Sequence, residues 1–144
     1  MSIHGEIIVI DDDKDELFIY RSIFSDIHIP NPVKYFEFPT EIFKYLDETK
    51  EQPFLIICDI NMPLINGFTL RERMLKNKNI RARLIPFVFV TNTKNEVDIF
   101  KAHDLFAFGL YRKRNDYNEQ KYMIIDIINA CAKIHRDKPG STMP

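Results

Sequence analysis

The sequence has no long apolar run and no excess of charge of either sign. Its 144 residues carry a formal net charge of −1, so bulk charge gives no reason to expect direct contact with nucleic acid. No apolar run approaches the length that spans a bilayer, and the N-terminus does not join a basic start to an apolar core of signal-peptide length. We therefore expect a soluble, cytoplasmic protein that binds neither membrane nor nucleic acid directly.

Cysteine is scarce, and neither cysteine has the spacing of a metal ligand. Cys58 falls in an apolar run and Cys131 in a helical apolar stripe, so both are predicted to be small buried hydrophobes and not a disulfide or redox pair. No repeat or low-complexity segment is visible. With 45% hydrophobic residues, the chain fits one compact domain over residues 4–136, followed by a flexible tail over 137–144.

Apolar runs of strand length alternate with helical apolar stripes along the chain. The predicted strands lie at residues 7–10, 33–38, 54–58, 86–90 and 105–111, and the last of five helices covers roughly Asp116 to Arg136. Such alternation implies a parallel sheet, because parallel neighbours need crossover connections. Right-handed crossovers leave the flavodoxin-like strand order 2-1-3-4-5 as the simplest arrangement, so the predicted fold class is a doubly wound α/β domain.

Acidic residues follow two of these strands. Asp59 closes the third apolar run, and Asp11 and Asp12 follow the first. In the order 2-1-3-4-5 these two strands are neighbours, so the three carboxylates should meet at the carboxyl edge of the sheet. A cluster of hard oxygen ligands without His or Cys favours Mg²⁺. Asp13 and Asp15 are expected instead to be solvated residues at the start of the first helix.

A carboxylate beside Mg²⁺ is either a ligand only or also a nucleophile that becomes an aspartyl phosphate. The second role needs a hydroxyl or amide donor and a cation around the transferred group. Thr91 follows the fourth strand and Lys113 follows the fifth. Arg112 is the alternative cation.

These residues together resemble the response regulator receiver domain, the phosphoacceptor module of two-component signalling, and are similar to the single-domain chemotaxis regulators. The resemblance covers nearly the whole chain. Four segments carry it, in this order: Ile7 to Asp13; Asp59 to Gly67, with Met62 and Pro63; Phe87 to Thr91; and Ala107 to Lys113.

The resemblance implies that Asp59 accepts a phosphoryl group from a sensor histidine kinase or a histidine phosphotransfer protein. It also implies that Asp12 binds Mg²⁺ directly and Asp11 mostly through water. Asp59 and the main-chain carbonyl of Asn61 complete the implied protein ligands.

The same resemblance assigns roles around the phosphoryl group. Thr91 would donate a hydrogen bond to a phosphoryl oxygen, and Lys113 would pair with it. The side chains of Asn61 and Thr93 lie where the family tunes the rate of hydrolysis.

The chain departs from the family pattern near its fifth strand. Arg114 follows Lys113, where family members often have a proline in a cis turn. Leu110 occupies the position of the usual switch aromatic, with Tyr111 and Phe108 nearby.

The expected output is a shift of population between two conformations of a partner-binding surface. This surface would combine the helix after the fourth strand, the fifth strand with Leu110 and Tyr111, and the last helix, with Arg112 and Arg114 making one end basic. Because the last predicted helix ends near residue 136, we expect a stand-alone regulator. Its output would pass through an unidentified downstream protein or a homodimer.

Two alternatives use the same residues differently. A small Mg²⁺-dependent hydrolase could use Asp59 on a diffusible phosphate ester, although no insertion is present to enclose a substrate. A pseudo-receiver would bind partners without phosphorylation, in keeping with the departures at Leu110 and Arg114. We expect a signalling domain and not an enzyme, apart from self-directed phosphotransfer and autodephosphorylation.

Overall fold

The computed structural model describes residues 4–137, so residues 138–144 of the predicted tail lie outside the described range. Its strands are β1 (Ile7–Ile10), β2 (Val33–Phe36), β3 (Leu55–Asp59), β4 (Phe87–Thr91) and β5 (Gly109–Arg112). Its helices are α1 (Lys14–Asp26), α2 (Glu41–Glu48), α3 (Gly67–Lys76), α4 (Lys78–Ala82), α5 (Glu96–Asp104) and α6 (Tyr117–Asp137). None of these helices is both long and apolar enough to span a bilayer.

The five strands form one parallel sheet in the order β2-β1-β3-β4-β5, as predicted. Ile10 is level with Cys58 in the pairing of β1 with β3, and Asp59 is level with Val90 in the pairing of β3 with β4. The carboxyl ends of the three central strands therefore finish together at one edge.

The sheet separates two hydrophobic cores. Ile8, Ile10 and Cys58 face a core that α2, α3, α4 and α5 cover. Ile7, Val9 and Cys131 belong to the opposite core, which α1 and α6 cover. Because β1, β3 and β4 are buried on both faces, their sequences are nearly continuous apolar runs. Both cysteines are free and buried, which confirms the prediction made for them.

The structure has one helix more than the five predicted. The additional helix is α4, which has only five residues. The side chain of Asn77 begins it by accepting hydrogen bonds from the main-chain nitrogens of Asn79 and Ile80. Only Ile80 is buried in α4, so the sequence carries no apolar period that would predict it.

The predicted start of the fifth strand, Leu105, is wrong. Leu105 is the C-cap of α5, and Phe106 has a left-handed backbone with φ 60°. The main-chain nitrogen of Ala107 donates to the carbonyl of Ala102 at 3.0 Å, which closes the helix end. The apolar residues that suggested strand therefore form a helix C-terminal turn.

Helix α5 is attached weakly to the sheet. Ala102 is its only buried residue. Three large apolar side chains of this helix are exposed instead: Val97, Ile99 and Phe100.

Candidate functional site

Asp59 is the last residue of β3, and the turn that follows brings α3 close beneath it. The main-chain nitrogen of Gly67 donates to the carbonyl of Ile60 at 2.9 Å. A Cβ at Gly67 would lie 2.3 Å from the carbonyl oxygen of Asp59. Only glycine therefore permits this approach, and Asn66 begins α3 by accepting from the nitrogen of Phe68.

The structure brings together the three carboxylates that the sequence placed at adjacent strand ends. Asp11, Asp12 and Asp59 each present an oxygen, and these oxygens lie within 4.8 Å of one another. Asp11 and Asp59 are buried, at 2% and 4% exposed. Asp13 is not part of the cluster; its side chain accepts from the nitrogen of Asp15 and caps α1, as expected.

Lys113 supplies the positive charge of the site. Its Nζ lies 3.2 Å from Oδ1 of Asp59 and 3.5 Å from Oδ2 of Asp11. The main-chain nitrogen of Lys113 donates to the carbonyl of Thr91 at 2.8 Å, which fixes the end of β5 against β4. Burial opposes the charge of Lys113, but the attraction of Asp11 and Asp59 outweighs it, so the pKa of Lys113 is raised.

One cation does not balance three carboxylates. Burial raises the pKa of Asp11 to about 7, and burial together with the charge of Asp59 raises the pKa of Asp12. Within residues 4–137, the buried Oδ1 of Asp59 accepts no hydrogen bond, and its contact with Lys113 is an ion pair. A cluster of oxygen ligands with excess negative charge and an unsatisfied buried oxygen suits a hard divalent cation such as Mg²⁺.

Thr91 is buried at the end of β4, beside the acidic cluster. Its hydroxyl accepts from Nδ2 of Asn61 at 3.1 Å and donates to the carbonyl of Thr93 at 3.0 Å. The sequence named all three residues, but nothing in it indicated that Asn61 and Thr93 would hold the hydroxyl of Thr91. The contact depends on the packing of two loops that are 30 residues apart.

The remaining predicted residues lie around the site and not in it. Arg112 and Arg114 are exposed, whereas Leu110 is buried and Tyr111 is half-buried. Within residues 4–137 no peptide bond is cis, so Arg114 follows Lys113 through a trans bond.

Sequence reasoning missed Gln120. This side chain is only 4% exposed, and its Oε1 accepts from the main-chain nitrogen of Arg114 at 2.8 Å. It thereby fixes the turn that follows Lys113. A glutamine among the polar residues that begin α6, from Tyr117 to Lys121, gives no signal of such a role.

Comparison with known proteins agrees with this geometry. Residues 7–124 match the family described as the response regulator receiver domain. The probable transcriptional regulator ycf29 of Pyropia yezoensis is 39% identical over 75 residues, which make up 52% of this chain and 31% of that protein. The chain therefore spans less than a third of that relative.

Solved structures share the fold. The phosphorylated cyanobacterial phytochrome response regulator RcpA has a TM-score of 0.77 and 20% identity, over 91% of this chain and 96% of that one. The Mn²⁺-bound form of the response regulator Rcp1 has a TM-score of 0.65 and 18% identity, over 96% and 98%. The chemotaxis response regulator CheY4 of Vibrio cholerae has a TM-score of 0.67 and 15% identity, over 86% and 98%.

Proposed function

Because this chain belongs to the response regulator receiver domain family, we propose that it acts in two-component signalling by accepting a phosphoryl group on Asp59. The observation that carries the proposal is the buried contact of Lys113 with Asp59, at 3.2 Å, beside the carboxylates of Asp11 and Asp12. A structural salt bridge would not need two further buried or half-buried acids next to it. A site that must hold a divalent cation, which then neutralises an incoming phosphoryl group, would.

Asp59 is the nucleophile in this proposal. One of its carboxylate oxygens attacks the phosphorus of a phosphohistidine, the phosphorus–nitrogen bond breaks, and the imidazole leaves with a proton from solvent. Asp11, Asp12, Asp59 and the main-chain carbonyl of Asn61 would hold Mg²⁺, which supplies charge neutralisation at the phosphoryl oxygens when bound. The donor is a sensor histidine kinase or a histidine phosphotransfer protein.

Lys113 and Thr91 stabilise the product. Lys113 already lies against Asp59 and Asp11 and gains a third anionic partner when the phosphoryl group arrives. Thr91 has one hydroxyl hydrogen, which the carbonyl of Thr93 now accepts. Donation to a phosphoryl oxygen requires Thr91 to leave that carbonyl, so phosphorylation and the resting contacts compete for one hydrogen. Asn61 and Thr93, the two residues that contact the hydroxyl of Thr91, would tune the rate at which the phosphoryl group on Asp59 is hydrolysed.

The output surface comprises α5, β5 and the start of α6. Movement of Thr91 pulls on the loop that leads to α5, a helix with one buried residue, whose exposed Val97 and Phe100 offer apolar contacts. Arg112 and Arg114 line one groove together with Ile99 of α5 and add positive charge there, and Tyr111 of the same groove is half-buried. Leu110 is buried, so the proposed switch works by displacement of α5 and not by rotation of an aromatic side chain. A cytoplasmic downstream protein or a homodimer would receive the signal.

Incubation with acetyl phosphate and Mg²⁺, followed by intact mass measurement, tests the proposal. The wild type should gain one phosphoryl group and Asp59→Asn none. Asp13→Asn is the matched control, because Asp13 is an exposed helix cap outside the cluster, and it should be phosphorylated normally.

Other outcomes would identify the alternatives. A wild type that stays unmodified at saturating Mg²⁺ contradicts the phosphoacceptor role and favours a pseudo-receiver. Continuous turnover of generic phosphate esters, abolished in Asp59→Asn, would favour a hydrolase.

A further inference from the structure

A second concave surface lies at the opposite edge of the sheet from Asp59. It is a groove of about 530 Å³ formed by α3, α4 and the turn after α5. Leu84 lies just before β4 and Phe106 just before β5, so the groove opens at the amino ends of these strands. The proposed phosphorylation chemistry uses none of its residues.

Two exposed apolar side chains of the groove lie on a left-handed backbone. Leu84 has φ 51° and Phe106 has φ 60°, and their side chains are 67% and 76% exposed. Each is the residue after a helix C-cap, a position where glycine or asparagine is usual because larger residues are strained there. Exposed apolar side chains at strained positions contribute little to the core, which indicates that they serve another role.

The groove also contains a buried cation without a counter-charge. Arg71 is 7% exposed, and its guanidinium stacks on the ring of Phe87 at 4.4 Å. Its Nε donates to the carbonyl of Leu105, but within residues 4–137 its terminal nitrogens donate no hydrogen bond and no carboxylate lies within ion-pair distance. Burial accordingly lowers the pKa of Arg71 to about 10.

The α3–α4 segment that forms one wall of the groove is rich in cations, although the chain as a whole has a net charge of −1. Between residues 71 and 83 only Glu72 is acidic, against these cations: Arg71, Arg73, Lys76, Lys78, Arg81 and Arg83. Arg83 donates to main-chain carbonyls of Leu46 and Thr49. The exposed Lys78 and Arg81 line the groove and form no ion pair among the described residues.

We propose that this groove binds an acidic, amphipathic segment of a partner protein. Its apolar side chains would pack on Leu84 and Phe106, one carboxylate would reach the terminal nitrogens of Arg71, and others would pair with Lys78 and Arg81. A mostly apolar lining with one recessed guanidinium and further cations beside it suits an acidic, amphipathic helix better than nucleic acid, whose phosphates would need a row of cations. A groove that is concave around a recessed guanidinium also fits a helix better than it fits a flat lipid surface. The inference does not rest on the phosphoacceptor function.

The experiment is a selection of short displayed peptides on the wild-type chain, with the double variant Phe106→Asn/Arg81→Glu as the counter-selection target. The enriched peptides should carry Asp or Glu beside aliphatic or aromatic residues at helical spacing. One enriched peptide is then titrated against single variants, and its contacts are mapped from amide chemical shifts. Those shifts should concentrate in α3, α4 and the Phe106 turn.

Phe106→Asn should weaken the binding of this peptide by about tenfold or more, the loss expected for one anchoring side chain. The melting temperature of this variant should stay equal or rise, because asparagine tolerates a left-handed backbone. Arg81→Glu should weaken the binding of the peptide by a similar factor, and the affinity of the wild type for the peptide should fall in high salt. Lys133→Glu and Phe18→Asn change an exposed cation and an exposed phenylalanine on other helices, and should leave the affinity unchanged.

Three results would overturn the inference. The selection could return no peptide whose binding depends on Phe106 and Arg81, or the enriched peptides could lack acidic residues. Alternatively, vesicles containing phosphatidylserine or a DNA duplex could bind through Phe106 and Arg81 and displace the peptide, which would assign the groove to a lipid surface or to nucleic acid.

Discussion

Nδ2 of Asn61 lies 3.1 Å from Oγ1 of Thr91, so the loop after β3 holds the hydroxyl at the end of β4. The same hydroxyl donates to the carbonyl of Thr93. Loss of the Asn61 contact should let the hydroxyl of Thr91 move toward a phosphoryl oxygen, and loss of the Thr93 contact should free its one hydrogen for donation.

Asn61→Ala should favour the activated conformation. A single net hydrogen bond is worth about 1 kcal/mol, so beryllofluoride, a phosphoryl analogue, should bind about fivefold more tightly in this variant. Titration followed by tyrosine fluorescence or calorimetry measures this. Asn118→Ala removes an exposed asparagine of α6 and should not change the affinity. Weaker binding by Asn61→Ala would instead show that Asn61 supports the activated site.

Lys113→Met should separate metal binding from phosphoryl stabilisation. Removal of a cation that lies 3.2 Å from Asp59 should strengthen Mg²⁺ binding several-fold, because the two cations compete for the same carboxylates. The same variant should be phosphorylated poorly by acetyl phosphate. Arg112→Met removes the alternative, exposed cation and should leave the Mg²⁺ affinity unchanged. Equal effects of the two variants on calorimetric titrations would contradict the assignment of Lys113.

The stabilisation by Mg²⁺ should depend on pH. The pKa of Asp11 is about 7 in the folded protein against an ordinary value of 3.8, so between these values the folded carboxyl holds a proton that the unfolded one has lost. The metal-free protein therefore loses stability through this group as the pH rises. Bound Mg²⁺ requires the charged carboxylate, and it should raise the melting temperature less near about pH 5 than near about pH 8. Asp11→Asn should remove most of this difference. A Mg²⁺ effect of equal size at both pH values would argue against Asp11 as part of the site.

Gly67→Ala should disturb the position of Asp59. Its new Cβ would lie 2.3 Å from a main-chain oxygen, and overpacking of this kind costs about 1–3 kcal/mol. Urea unfolding measures this loss, and acetyl phosphate labelling should be slower. Gly109→Ala is the matched control, because its Cβ would meet the ring of Tyr111, a side chain that can move. A larger loss for Gly109→Ala would mean that the approach of α3 to β3 is not critical.

The sequence was sufficient to predict the order of the strands and the acids that they bring together. Continuous apolar runs such as Ile7–Ile10 have one stable location, the centre of a parallel sheet, and a residue after such a run must lie at its edge. The positions of Asp11 and Asp59 follow from that rule, whereas the rule left Arg112 as an alternative to Lys113 at the end of the fifth strand.

The turn at Leu105 and Phe106 did not follow from the sequence, because the apolar run from Leu105 to Phe108 fits a strand as well as a helix end. The contact of Asn61 with Thr91 depends on loop packing, and the recessed location of Arg71 depends on a stack with Phe87. Local patterns do not encode either contact, since both join segments that are distant in the chain.

Weak attachment of α5 has a consequence for measurement in solution. A helix that buries only Ala102 gains little free energy from the rest of the domain, so local opening should cost far less than global unfolding. Its amides should exchange with deuterium early, while those of β1 and β3 remain protected. A protein that docks on α5 would then slow this exchange, and the protection pattern would locate the docking site residue by residue.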